Sequence, residues 1–362
     1  MSKRAYNFNA GPAALPLEVL QQAQQEFVEY QNIGMSIMEI SHRSSEYEKL
    51  NDETQDLFKQ LYLIPDGYKV LFLQGGASAQ FAMFPMNFLH AGQVGSYVMT
   101  GSWADKAIKE AKCYGEVHVA ASSEEQKFGK IPDLQDIHIH PQSAYLHITS
   151  NETIEGAQYA AYPNSQVPLI ADCSSDILSR PMNISQFSMI YAGAQKNLGP
   201  SGVTVVIIKE DMLTHIAKNI PVIYRYDTHA KNNSLYHTPP VYSIYIMNLV
   251  LKWIKNQGGL SVVHQNNIHK SALIYRRIDQ SDGFYRGTVD ASSRSIMNIT
   301  FRLPTQELEE LFADESLKQG FVGLKGHRSV GGIRASTYNA VPLQSCEALT
   351  QFMNDFQNKH QT

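Results

Sequence analysis

Apolar positions along the chain follow two periods, and the two alternate. Val19, Leu20, Ala23, Phe27 and Tyr30 recur near helical spacing and predict a helix from about residue 16 to 30. A second helix is expected over about 46–62, after the polar loop Ser41-His42-Arg43-Ser44-Ser45. From there, short apolar runs of strand length take turns with helical stretches. Strands are expected at 68–73, 94–99, about 116–120, 144–149 and 167–171, with helices to about 88 and over about 104–112 between the first three. Two further runs, 187–190 and 203–208, enclose the small-residue loop Ala192-Gly-Ala-Gln-Lys196-Asn-Leu-Gly-Pro-Ser-Gly202. A helix after 209, an irregular polar and aromatic segment to Pro240, and helices over 241–256 and about 260–279 follow. Beyond about 280 the pattern changes to short strands at 287–289, 296–301 and 321–323 with helices over 307–318 and 341–357.

Strand and helix in alternation predict an α/β fold, a mostly parallel sheet with crossover helices on both faces. The later change of character predicts a smaller α+β C-terminal domain. The expected division is an extended segment at 1–15, a large domain at 16–260 and a small domain at 261–362.

In open parallel sheets ligands bind beyond the C-terminal strand ends. Gly76, Trp103, Thr153, Asp172 and Lys196 each fall just after an expected strand, which points to one shared pocket. Taken singly, each has an ordinary reading. Lys196 is a solvated loop lysine or a Schiff-base lysine. Trp103 is a core residue or a stacking plate. The turn Gln74-Gly75-Gly76-Ala77-Ser78 is a tight connection or an anion cradle at a helix N-terminus. His42 and Arg43 are a solvated basic pair or an anion clamp. His327, Arg328 and Arg334, set around a glycine pair, belong to a solvated hairpin or grip a carboxylate or phosphate.

Composition narrows the classes. Thirty Lys and Arg against 34 Asp and Glu leave a net charge of −4, with no basic surplus for nucleic acid or an anionic membrane. Cys113, Cys173 and Cys346 are scattered and odd in number, with no metal spacing and no disulfide framework, which suits a reducing cytoplasm. The start of the chain lacks the apolar core of a signal peptide, and the most apolar stretch, 241–254, is too short to span a bilayer. The glycine turn is not followed by Gly-Lys-Ser/Thr, so it is not a P-loop. A single ligand that uses a reactive amine, a carboxylate, an aromatic plate and an anion cradle is pyridoxal 5'-phosphate. Its aldehyde needs Lys196, its ring nitrogen Asp172, its ring face Trp103 and its phosphate the N–H groups at Gly76, Ala77 and Ser78. A nucleotide-binding protein has no use for the lysine.

Ordered blocks over nearly the whole chain carry a family resemblance: Asn7-Phe-Asn-Ala-Gly-Pro-Ala-Ala-Leu-Pro16, Ser41-His-Arg43, Gly75-Gly-Ala-Ser-Ala-Gln80, Gly101-Ser-Trp103, Asn151-Glu-Thr-Ile-Glu-Gly156, Asp172, the Lys196 loop, Thr238-Pro-Pro240, and Gly326-His-Arg-Ser-Val-Gly-Gly-Ile-Arg-Ala-Ser336. In these the chain resembles the phosphoserine aminotransferase family, class-V, fold-type I pyridoxal-phosphate transferases. The resemblance implies ping-pong transamination in serine biosynthesis. L-glutamate and 3-phosphohydroxypyruvate would give 2-oxoglutarate and O-phospho-L-serine, with phosphorylated 4-hydroxythreonine as a related substrate. It implies that Lys196 carries the cofactor and moves a proton at the substrate Cα. Thr153 would sit near the ring's phenolic oxygen and Gln195 near the phosphate, beside Ala77 and Ser78. Thr238 and its neighbour His237 would reach the cofactor phosphate of the partner subunit in a homodimer with shared active sites. Arg334 would hold the substrate α-carboxylate, and His42, Arg43, His327 and Arg328 the distal phosphate or carboxylate. Two positions depart from the pattern: His237 stands where the family often has Asn, and Ser78 where some members carry an arginine. The same fold hosts cysteine desulfurases, which need a mobile nucleophilic cysteine, and Cys346 falls instead in the closing helix.

Overall fold

A computed structural model describes residues 4–361. In chain order the elements are β1 (Tyr6–Asn7), α1 (Leu17–Gln25), α2 (Ser45–Tyr62), β2 (Tyr68–Leu73), α3 (Gly76–Phe88), β3 (Val94–Met99), α4 (Ser102–Ala111), β4 (Glu116–Ser122), β5 (Ser143–Thr149), β6 (Leu169–Asp172), β7 (Met189–Gly193), β8 (Thr204–Lys209), α5 (Tyr226–Lys231), α6 (Val241–Asn256), α7 (Leu260–Asp279), β9 (Arg286–Gly287), β10 (Asn298–Arg302), α8 (Gln306–Lys318), β11 (Phe321–Val322), β12 (Ile333–Ser336) and α9 (Leu343–His360).

The large sheet has seven strands in the order β2-β8-β7-β6-β5-β3-β4. Only β8 runs antiparallel to its neighbours; it pairs with β7 as Gly193↔Thr204 and with β2 as Leu73↔Thr204. The alternation of side chains along each strand explains why both faces are covered. Val70, Phe72, Leu146, Ile148, Ile190 and Val205 join one core with Leu57 and Phe58 of α2 and Leu249 and Ile254 of α6. Leu71, Leu73, Tyr145, Ile170 and Val206 join another, with Phe81, Phe84 and Phe88 of α3 and Ile108 of α4. A third core belongs to the later part of the chain. Ile299, Phe301, Phe312, Phe352 and Phe356 build it over the three-stranded sheet β12-β10-β9. The start of the chain joins this third core: Phe8 is buried within it, and β1 pairs in parallel with β11 as Tyr6↔Phe321. Helix α7 bridges the cores, with Val263 in the first and Ile274 and Ile278 in the third.

Three expectations change. The first helix stops at Gln25 rather than near Tyr30: Glu26 already leaves helical geometry (φ −92°, ψ 5°), and the chain turns on through Gln31 and Asn32, which take the left-handed backbone conformation (φ 49° and 61°). Phe27 and Val28 extend the apolar pattern but lie exposed. After Lys209 the expected helix is two 3₁₀ turns, Asp211–His215 and Val222–Tyr224, and a helix appears instead inside the irregular segment, at α5. The segment read as a hairpin around Arg334 contains a strand, β12, paired with β10 as Thr300↔Arg334. No described helix is long and apolar enough to cross a membrane.

Candidate active site

Five parallel strands, β2, β7, β6, β5 and β3, end at one edge of the sheet, and each delivers one of the residues singled out by position. Gly76 opens α3 after β2, Lys196 follows β7, Asp172 closes β6, Thr153 follows β5 and Trp103 lies in the first turn of α4 after β3.

Lys196 is the centre. The open, small-residue character of its loop suggests an accessible amine, yet the side chain is 8 % exposed. The loop is covered from outside: Ala13 donates to the Gln195 carbonyl at 2.9 Å, and a Cβ on Gly11 would stand 3.4 Å from Lys196 Cγ. Nζ donates to Thr153 Oγ1 at 2.6 Å and lies 5.4 Å from the centre of the Trp103 ring. Burial brings its pKa down to about 8, against the opposing charges of Asp172 and Glu152, and the nearby cation Arg334 lowers it further. This leaves far more neutral amine near neutral pH than a solvated lysine has, which is what a nucleophilic lysine requires.

Asp172 is buried at 4 % exposure, and burial raises its pKa while the Ser174 hydrogen bonds and the Lys196 charge oppose the rise. Ser174 gives both its N–H and its hydroxyl to Oδ1, at 2.9 and 2.6 Å. Oδ2 makes no hydrogen bond among the described residues and is free for a ligand donor.

Two helices start at this edge behind a glycine, and they differ in what meets their first N–H groups. At α4, the chain turn 152–155 supplies carboxylates. Glu152 Oε1 accepts from Ala104 N and Thr100 Oγ1, and Oε2 from Trp103 N; Glu155 Oε1 accepts from Ser102 N and Oγ. This end is already filled, and Gly101 has no room for a side chain, since a Cβ would lie 2.6 Å from Glu152 Cδ and from Glu155 Oε2. Burial and the Glu155 charge push Glu152 up to about 8, so the pair is held short of two full charges. At α3, Gly75 caps with φ 93° and no side chain caps the helix. Its N–H groups at Gly76, Ala77 and Ser78 remain available, with the positive end of the helix dipole behind them. Phe81 of α3 lies 6.4 Å from Trp103 centre to centre, so the open cradle and the indole plate are neighbours.

The outer residues form two groups. Arg334 is tied to the lysine through Thr153, whose carbonyl accepts from Nη1 at 3.1 Å, while the buried Nε has no partner. His327 is exposed, with Nδ1 held by the Ser329 N–H and hydroxyl, and Arg328 beside it is exposed too. A cleft of about 700 Å³ runs past Ile154, Glu155, His327 and Arg334 toward Arg286 and Arg302. The second group is His42, Arg43, His237 and Thr238. Gln74, at the end of β2, touches His237 Nε2 at 3.1 Å and the Thr238 carbonyl at 3.0 Å. Among the described residues no hydrogen bond or ion pair joins this group to Lys196, Thr153, Trp103, Asp172 or Arg334. His42 Nε2 and His237 Nδ1 are both buried without partners. Gln195 is half-buried with its amide folded over Gly193.

Sequence reasoning assigned no part to Glu152, Glu155, Ser174 or Gly11. Ser174 had a usable signal, a hydroxyl two residues after a strand-end aspartate, where side chains often bond their neighbours' backbone. The glutamates had none, because a carboxylate capping a helix fifty residues away leaves no local pattern.

The class-V aminotransferase model matches residues 5–349. A phosphoserine aminotransferase of Niallia circulans is 64 % identical over 357 residues, 98 % of this chain and 99 % of that protein. Among solved structures, the phosphoserine aminotransferase from Bacillus circulans subsp. alkalophilus superposes with a TM-score of 0.98 at 63 % identity, covering 99 % of each chain. A pyridoxal-phosphate-bound phosphoserine aminotransferase from Trichomonas vaginalis gives 0.93 at 36 % identity, over 97 % of this chain and all of that one.

Proposed function

The chain belongs to the class-V aminotransferases and, within them, to the phosphoserine aminotransferases; from that membership we propose that it transfers the amino group of L-glutamate to 3-phosphohydroxypyruvate, giving 2-oxoglutarate and O-phospho-L-serine in serine biosynthesis. The observation that carries this reading is the buried Lys196 amine, 2.6 Å from Thr153 Oγ1, at the same sheet edge as a carboxylate with one uncommitted oxygen.

The residues present fit pyridoxal 5'-phosphate. Lys196 offers the amine, Asp172 Oδ2 an acceptor for a ring N–H, Trp103 a face, and the uncapped start of α3 a seat for phosphate, with Gln195 beside it. When bound, the cofactor supplies an aldehyde carbon for amine exchange and a ring that withdraws electrons from the substrate Cα. Lys196 takes the proton from Cα and returns one, which its lowered pKa permits near neutral pH. Asp172 keeps the ring nitrogen protonated. Trp103 and Thr153 fix the orientation of the reacting carbon. Arg334 grips the α-carboxylate, and its free Nε suits a second hydrogen bond. His42, Arg43, His327 and Arg328 receive the distal phosphate or carboxylate.

We assign His42, Arg43, His237 and Thr238 to the partner's site in a homodimer; the unpartnered, buried His42 Nε2 and His237 Nδ1 support this. His237 offers an imidazole N–H to the partner's cofactor phosphate, and Ser78 a hydroxyl in its own cradle. The boundary at residue 260 and a cytoplasmic location belong to the same reading, the latter supported by three free cysteines.

A panel of 2-oxo acids with and without a terminal phosphate tests the reaction. The phosphorylated three-carbon acid is expected to give the highest kcat/KM. Equal turnover of the unphosphorylated acids contradicts the assignment.

A further inference from the structure

Lys106 follows Trp103 by one helical turn on α4, and its Nζ stands 4.1 Å from the centre of the indole ring. Lys196 Nζ stands 5.4 Å from the same centre, so two ammonium groups address one aromatic plate. Lys106 makes no ion pair among the described residues, whereas Lys109, on the same helix, is bonded to Asp105 at 2.5 Å. A cation over an indole is held by the ring's negative face, with its methylene stem against apolar surface and its N–H donors still available.

The first turn of this helix is bonded to Glu155 through Ser102, and Glu155 lines the cleft together with His327 and Arg334. The charge of Lys106 depresses the pKa of His327 more than that of the adjacent Arg328 does; burial and Arg334 act more strongly still, and Glu155 alone opposes. The charges of Lys106, Arg328 and Arg334 thus act on His327 in the same sense, and that of Glu155 in the other.

We propose that Lys106, held on the Trp103 ring, is a specificity-determining residue that favours a distal phosphate dianion over a distal carboxylate. The inference rests on the aminotransferase reading above and deepens it. The physics is that of a charge near, but not bonded to, the ligand group. Attraction to such a charge scales with the ligand's charge, and a phosphate monoester carries about −1.5 to −2 at neutral pH against −1 for a carboxylate. Arg334, which meets the α-carboxylate common to both substrates, cannot make this distinction.

Single-turnover half-reactions with O-phospho-L-serine and with L-glutamate test it in the cofactor-loaded enzyme. Lys106→Ala is expected to lower the ratio of the two kcat/KM values about fivefold, the scale of one exposed charge interaction. Lys106→Arg is expected to hold the ratio near that of the parent, and Lys109→Ala to leave it unchanged. Added salt is expected to lower the ratio more steeply in the parent than in Lys106→Ala, where one of the discriminating charges is gone. Inorganic phosphate, followed through its perturbation of the bound cofactor's visible band, is expected to bind Lys106→Ala more weakly than the parent. An unchanged ratio in Lys106→Ala overturns the proposal, as does an equal fall in Lys109→Ala, which would mean diffuse surface charge. A parent enzyme that turns over glutamate with no preference for phosphorylated partners removes the substrate reading and this proposal with it.

Discussion

Thr153 holds Lys196 and Arg334 at once: its hydroxyl accepts from Lys196 Nζ at 2.6 Å and its carbonyl accepts from Arg334 Nη1 at 3.1 Å. The reactive amine and the carboxylate grip are thus registered to a single residue. Thr153→Val keeps the shape and removes only the hydroxyl. It is expected to cost about tenfold in kcat/KM, the scale of a hydrogen bond to a charged group. Lys196→Ala is expected to lose the visible absorbance of the lysine-bound cofactor and about 10³-fold or more of turnover. Stopped-flow spectra and steady-state rates check both, and substantial turnover in Lys196→Ala removes the mechanism.

Asp172→Asn retains an oxygen for the two Ser174 bonds but exchanges the charge for a neutral amide. Activity is expected to fall about 10²- to 10³-fold, as when a preorganised electrostatic partner is lost. The diagnostic is activity measured at saturating added cofactor, so that weaker cofactor binding is not mistaken for slower chemistry.

Arg334→Lys preserves the charge and removes the planar fork. The KM for glutamate is expected to rise about tenfold or more, with a smaller change in kcat. A variant whose KM matches the parent's assigns the α-carboxylate to another group.

His147 gives the fold an acid sensitivity of its own. It is buried between Tyr97 and Tyr191, with Nε2 2.8 Å from the Tyr191 hydroxyl, and burial brings its pKa down to about 3 from 6.5. The unfolded chain takes up this proton at higher pH than the native state does. The stabilisation is therefore complete above pH 6.5 and is lost progressively as pH falls toward about 3. Each pH unit inside that window removes up to about 1.4 kcal/mol. Thermal midpoints measured from pH about 7 down to about 4 are expected to fall in the parent and to fall less steeply in His147→Gln.

Gly101→Ala places a methyl group against both Glu152 and Glu155. Overpacking of this kind costs about 1–3 kcal/mol, and here it also displaces the turn that carries Trp103. Urea unfolding is expected to show the loss of stability, and the visible band a weakened hold on the cofactor. A variant as stable as the parent means that the two carboxylates have room to move.

The periodicities of the chain carried the large sheet well. Each of its expected strands exists, because strands buried on both faces write continuous apolar runs such as Val205 to Ile208. Strand-end position brought Lys196, Asp172, Thr153 and Trp103 together without any knowledge of packing. What the pattern misjudged was local backbone. Phe27 and Val28 read as helix, but the chain leaves helical geometry at Glu26, a position no apolar period records. Lys196 looked open because its own loop is small, while its cover comes from Gly11, far away in sequence. The role of Glu152 and Glu155 was invisible for the same reason: their partners, Thr100 to Ala104, are met only in space.

The pairing of Tyr6 with Phe321, and of the Tyr338 hydroxyl with the Ala10 carbonyl at 2.9 Å, also has a meaning in time. During synthesis the segment that covers Lys196 leaves the ribosome before its anchors, which follow more than three hundred residues later. The large sheet has all its strands by Lys209 and its covering helix α6 by Asn256, so its core is complete in sequence while the lysine is still uncovered. The pocket becomes complete only when the last strands arrive and the beginning of the chain is finally given a place to lie.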